Sequence, residues 1–268
     1  MPNEMEKIAD KMAALQVRAT VASKEDVNAS GASRFSLEEN YTVKSLNDWV
    51  NQIASAEIQE KVQDQKRASF IDLGARMQVE SEAMRAMIEA HVDQLVEGVC
   101  HNDLLCANLM LNEAKKELVI IDFDYTKRNF LLFDIANHFN EYTGLKCDYD
   151  TYFPSDSHMR NFITIYREAM RRYILEAHQE QTTLTEVFEG ERNFFFTTCE
   201  EEEAQVITEW VKLVKWMTLL SNLSWAIWSL FQEAVSDLDV DFLNYAGQRF
   251  DRYVLTKQAF LDDIFPNS

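Results

Sequence analysis

The sequence has little that bends or cross-links a chain. Six glycines and three prolines in 268 residues are too few for an architecture of many tight turns, because these residues supply most of the special backbone angles that turns require. Four cysteines, Cys100, Cys106, Cys147 and Cys199, form no CxxC pair. That argues against a disulfide framework or a zinc site and reads as reduced thiols of a cytoplasmic protein. Positive charge is scarce too: 26 basic against 45 acidic residues leave a formal charge of −19. Such a field repels nucleic acid and anionic membrane surfaces and draws in small cations. The most hydrophobic stretch, 216–231, is uncharged for only sixteen residues, short of the roughly 20 that cross a bilayer, so it reads as a buried helix without membrane insertion. The start, "MPNEMEKIADKMAALQ", carries charge where an export signal would be apolar.

Apolar residues make up 47% of the chain and aromatics 12%, enough to bury a substantial core. Good helix formers are plentiful, which predicts a mainly α protein with a small β component. Helical spacing of apolar residues points to helices at 6–15, 46–53 and 84–95, the last stopped by Gly98, and then at 131–142, 156–177, 200–233 and 241–257. Thr197 or Thr198 would cap the helix at 200, with Glu200 to Glu203 as its solvated, dipole-compatible first turn. The polar stretch at about 17–42 reads as a loop insertion. "GVCHN" and "ELVIIDFDY" read as two short strands flanking a polar connection. With no repeat and no low-complexity linker, the chain reads as a single structural domain, in which a helical segment at 1–98 precedes a helical lobe at 99–268.

Chemistry concentrates in a few places. Asp103 and Asn108 stand five apart, and Asp122 follows an apolar run. A phosphotransferase needs a carboxylate to orient or deprotonate the attacking hydroxyl and hard oxygen donors to hold magnesium on the phosphates. Taken alone, an Asp-x4-Asn spacing more often belongs to a turn. Strand alternation would put Asp122 and Asp124 on one face. Asp134 and His138, four apart on a helix, read as a brace for the loop rather than a metal pair. Trp225 and Trp228 share a helix face, with Tyr245 on the next helix; such aromatics can hold an organic cation, although a Trp pair by itself more often packs a core. Glu141 would add a full negative charge. No convergent partners are evident for His91, His158 or His178.

Together, "HNDLLCANLM", "IDFDY" and "FDIANHFNEY" resemble the choline/ethanolamine kinase family, the first segment being closer to its ethanolamine kinases. The resemblance runs from about 99 to 257 and includes "LSWAIWSLFQEAVSDLDVDFLNYAGQRFDRY"; before 99 it is limited to "IADKMAALQ" and some helix spacing. It implies a protein-kinase-like fold, represented by its C-terminal helical lobe. The implied activity is ATP-dependent phosphorylation of ethanolamine or choline with Mg2+, the first step of phospholipid head-group synthesis. The matched positions make Asp103 the base, Asn108 and Asp122 the metal ligands, and Glu141, Trp225, Trp228 and Tyr245 the surroundings of the substrate ammonium, with Asp124 and Tyr125 in support. The sequence departs from the family in three ways. No glycine-rich loop or strand-borne lysine precedes His101, so an N-terminal lobe is expected to be missing and the chain alone to be far less active than a complete enzyme. Asp124 replaces a glutamate, and Lys127 and Arg128 stand where small or aromatic residues are usual, free to touch phosphates or face water. The alternative reading is a non-catalytic relative that binds or regulates, as a dimer with itself or with a full-length kinase.

Overall fold

The computed structural model describes residues 4–30, 37–112, 114–115, 117–180 and 192–266. Its helices are α1 (Glu4–Ser30), α2 (Tyr41–Ile53), α3 (Ala56–Lys61), α4 (Asp64–Ala90), α5 (Leu131–Glu141), α6 (Tyr149–Tyr152), α7 (Asp156–Glu180), α8 (Arg192–Phe195), α9 (Glu200–Val235) and α10 (Phe242–Ile264). Four short strands complete it: β1 (Glu97–Cys100), β2 (Leu109–Asn112), β3 (Glu117–Ile120) and β4 (Lys127–Phe130). The mainly helical architecture with a small β component is the one expected.

At the centre lies α9, against which α10, α5, α2, α4 and α7 all pack. The stretch 216–231 belongs to it, and Trp216, Met217, Leu219, Leu220, Leu223, Ala226, Ile227 and Leu230 have no exposed surface, as a helix apolar nearly all round requires. No described helix is long and apolar enough to cross a membrane. One core cluster runs from Ala9 to Phe265.

Several local expectations fail for identifiable reasons. The first helix does not stop at 15 but continues to Ser30, through the first part of the stretch read as a loop; residues 31–36 of that stretch lie outside the described ones. The helix hides from apolar periodicity because two of its core-facing residues are polar. Gln16 is fully buried, bonding Asp134 and the Leu131 carbonyl, and buried Thr20 accepts the Val99 amide. Gly98 does not end a helix. It sits in β1, where a Cβ would meet the Leu131 side chain at 2.6 Å and Thr20 Oγ1 at 2.7 Å; α4 ends eight residues earlier, and Val92 is 41% exposed.

The two foreseen strands do not pair with each other. β1 pairs antiparallel with β4, and β2 with β3. β3 ends at Ile120, so Asp122 and Asp124 lie beyond it and strand alternation does not order them. At the start of α9 the cap is Cys199, without a side-chain bond. Thr198 instead gives its amide and hydroxyl to Glu202. Glu203 is no solvated carboxylate either. Burial works against its charge, but Arg167, Arg171 and Thr197 hydrogen-bond it and hold it down at about 2.

Candidate active site

The loop from Cys100 to Asn108 is gripped by its backbone. Asp134, fully buried on α5, accepts the amide of His101 at 2.8 Å and that of Asn102 at 2.7 Å. Gln16 donates a third bond to it at 3.0 Å. One turn further on, His138 donates from Nδ1 to the Leu104 carbonyl at 2.9 Å. Burial lowers its pKa to about 4, so it serves as a neutral donor. The Asp134 and His138 pair is therefore a brace. Asn102 sits at φ 68°, a left-handed conformation that a non-glycine residue holds only when its surroundings enforce it. They do so here: its amide donates to the carbonyls of Tyr125 and Lys127, and its Oδ1 accepts from buried Asn129.

This grip fixes Asp103. Asn108 donates to the Asp103 carbonyl at 2.8 Å and to its Oδ2 at 3.3 Å, which leaves the Asn108 Oδ1 as the oxygen donor of that amide. His101 accepts the Asp103 amide on Nδ1 and donates from Nε2 to the Ile121 carbonyl, while the Ile121 amide donates to the Asn108 carbonyl. The residue after Ile121 is Asp122, exposed and at φ 64°. Asp103, Asn108 and Asp122 are thus neighbours through one short hydrogen-bonded circuit. Half-buried Asp103 has its carboxyl pushed up to about 7 by burial first, then by the charges of Glu141 and Asp122. Among the described residues no three His, Cys, Asp or Glu side chains form a metal centre on their own.

Facing the loop is an aromatic group. The rings of Trp225 and Trp228 meet edge to face at 5.2 Å, and Tyr125 stands 5.5 Å from Trp225. Asp124, in the turn before Tyr125, is exposed. Tyr245 is driven up to about 12, by burial first. Glu141 ends α5 and is bonded by Arg249 at 2.8 Å.

Sequence reasoning missed several members. Tyr41 lies 6.5 Å from Tyr125, ring to ring, and close enough to Asp103 for that charge to act on its hydroxyl. Its place is set by Asn40, whose side chain caps α2 and also bonds Glu97. A readable signal was the cap itself, Asn before a helical pattern. Arg128 is half-buried and bonded twice to Glu97, while exposed Lys127 lies over the Tyr41 ring. Two of the remaining histidines have partners. His158 meets Tyr142 and His91 stacks on Phe265 at 3.9 Å.

A family model described as choline/ethanolamine kinase matches residues 2–254. The chain is 35% identical over 160 residues to ethanolamine kinase 1 of Homo sapiens, covering 59% of this chain and 30% of that protein. It is 32% identical over 179 residues to a probable ethanolamine kinase of Nematostella vectensis, covering 65% and 45%. The chain thus spans from under a third to just under half of the length of these curated relatives. A solved structure of Plasmodium vivax ethanolamine kinase superposes with a TM-score of 0.68 at 20% identity, over 96% of this chain and 60% of that one; at that identity the likeness speaks for the fold, which is protein-kinase-like.

Proposed function

The chain belongs to the choline/ethanolamine kinase family, and from that premise we propose that it transfers a phosphoryl group from ATP to the hydroxyl of a small amino alcohol, ethanolamine or choline. One observation carries the reading. Apart from burial, the first influence lifting Asp103 to about 7 is the charge of Glu141, the anion beside the aromatic group. A base and a cation site would therefore lie within reach of each other's charge. A short amino alcohol with its ammonium at Glu141 and its carbon skeleton against Trp225, Trp228 and Tyr245 would present its hydroxyl to Asp103.

In this reading Asp103 orients the hydroxyl and takes its proton, a role suited to a carboxyl whose pKa lies near neutrality. Asn108 and Asp122 would hold magnesium. The donor set fits that ion, since it offers hard oxygens on a crowded acidic face, and magnesium is commonly held by one or two carboxylates together with substrate phosphates. Held by Asn108 and Asp122, magnesium would supply positive charge to offset that of the phosphates, which matters for a protein of net charge −19. Tyr125 supports both sides, its carbonyl bonded by Asn102 and its ring against Trp225, and Asp124 adds negative charge next to it.

The test is transfer of labelled phosphate from Mg-ATP to ethanolamine or choline. Asp103→Asn should reduce the rate by roughly 10²- to 10⁴-fold, the usual contribution of a positioned base. Transfer indifferent to that change would sink the assignment.

A further inference from the structure

Arg249 was no part of the sequence reading, yet it bonds residues on three helices around Glu141. Its side chain is 1% exposed. Nη1 donates to Glu141 Oε1 at 2.8 Å and to the Tyr245 hydroxyl at 3.1 Å. Nη2 approaches Ser221 Oγ at 3.4 Å; Ser221 in turn donates to Asn137 Oδ1 at 2.9 Å, the same oxygen that accepts the indole N–H of Trp225 at 2.7 Å. One guanidinium is therefore tied directly to Glu141 and Tyr245, and through two buried side chains to Trp225. Those partners come from three helices, α5, α9 and α10. Among the described residues the Arg249 Nε has no hydrogen-bond partner, so the fork is committed at its Nη ends.

We propose that Arg249 is the positioning residue of the ammonium site: it fixes the Glu141 carboxylate and the Tyr245 and Trp225 rings in one arrangement, so that a cation meets a preassembled site. The inference rests on the amino-alcohol reading given above. It concerns geometry more than charge. Glu141 keeps a second oxygen for the ligand while its first is held, and Tyr245, accepting from Arg249, keeps its own proton to donate elsewhere. A lysine at 249 would keep the positive charge but could not reach three groups from one planar fork.

The experiment is calorimetric titration of the purified full chain with choline and with ethanolamine, alongside a thermal melt of each variant. Arg249→Lys should bind at least about tenfold more weakly than wild type, because the substitution keeps charge and removes the fork that reaches Glu141, Tyr245 and Ser221 together. Combined with Glu141→Gln, its loss should fall short of the product of the two single losses, since part of its effect runs through Glu141; a purely structural role would make the two losses multiply. Ser221→Ala, which removes only the relay toward Trp225, should cost about twofold to fivefold and serves if Arg249→Lys melts early. Wild-type affinity in Arg249→Lys, multiplying losses in the pair, or an early-melting Arg249→Lys with Ser221→Ala at wild-type affinity would overturn the proposal and leave the amino-alcohol reading intact. A wild-type chain that binds neither amino alcohol would remove both.

Discussion

Around Asp103 the backbone is what is held: Asp134 takes the amides of His101 and Asn102, His138 takes the Leu104 carbonyl, and two residues in left-handed conformation stay where these bonds put them. Around Glu141 the backbone is regular helix, and side chains alone are tied together, through Arg249, Ser221 and Asn137. The first arrangement suits a base and its oxygen donors, whose placement must survive contact with water at the exposed Asp122 edge. The second suits a pocket whose walls come from α5, α9 and α10, elements already locked by the core. Each half should then respond to its own mutations and only weakly to those of the other.

The largest effect that could break this comparison comes from Asp134→Asn. An amide in place of the carboxylate loses one of two acceptor oxygens, so a buried backbone N–H is left unpaired beside a donor. We expect a loss of about 3 kcal/mol in urea unfolding, since an orphaned buried polar group costs roughly 1–3 kcal/mol and hydrogen bonds to a charged partner are the stronger kind. The affinity for choline should nevertheless stay within about twofold of wild type, as independent sites add rather than couple. A parallel collapse of affinity would mean that the two halves are one unit.

A smaller effect follows from the carboxyl at the centre. In the folded protein Asp103 holds its proton up to about pH 7, whereas in the unfolded chain it releases it at about 4. Between those values the folded state binds more protons, so the contribution of this residue lowers stability as pH rises from 4 to 7, and the deficit persists above 7. Asp103→Asn should therefore match wild type below pH 4 and melt higher than wild type above pH 7. Magnesium should narrow that gap above pH 7, where the carboxylate is free of its proton, and have little influence below pH 5. A melting difference independent of pH would show that burial and neighbouring charge are not what set this carboxyl.

The same contrast explains what was legible in the sequence. The loop was readable because its chemistry is contiguous: His101, Asn102, Asp103 and Asn108 fall within eight residues, and Asp122 follows close behind. The long helices α7 and α9 were readable because their buried faces are largely apolar at helical spacing. The continuation of α1 was not, because Gln16 and Thr20 face the core as hydrogen-bonding residues and look like surface. β2 and β4, LMLN and KRNF, do not alternate apolar with polar, so no period-two pattern registers there. Arg249 was silent for a different reason. It stands among polar and aromatic residues of an amphipathic helix, and its partner Glu141 is 108 positions away, a relation no local pattern encodes.

The smallest effect separates the aromatic contribution from the anionic one. Trp225 is half-buried, with its N–H on Asn137 and its ring between Tyr125 and Trp228. Trp225→Phe keeps a ring face but removes the N–H, and should cost choline about twofold, near the lower limit of cation–π energies, roughly 0.5 kcal/mol. Trp225→Leu removes the face and should cost more. The loss should also be larger for choline than for ethanolamine, because a quaternary ammonium has no N–H and depends on aromatic surface, whereas a primary ammonium can donate to Glu141. Glu141→Gln should reverse that order, weakening ethanolamine more than choline. Equal losses for both ligands in both variants would mean that Trp225 and Glu141 do not face the same cation, and the pocket half of the comparison would have to be rebuilt around other residues.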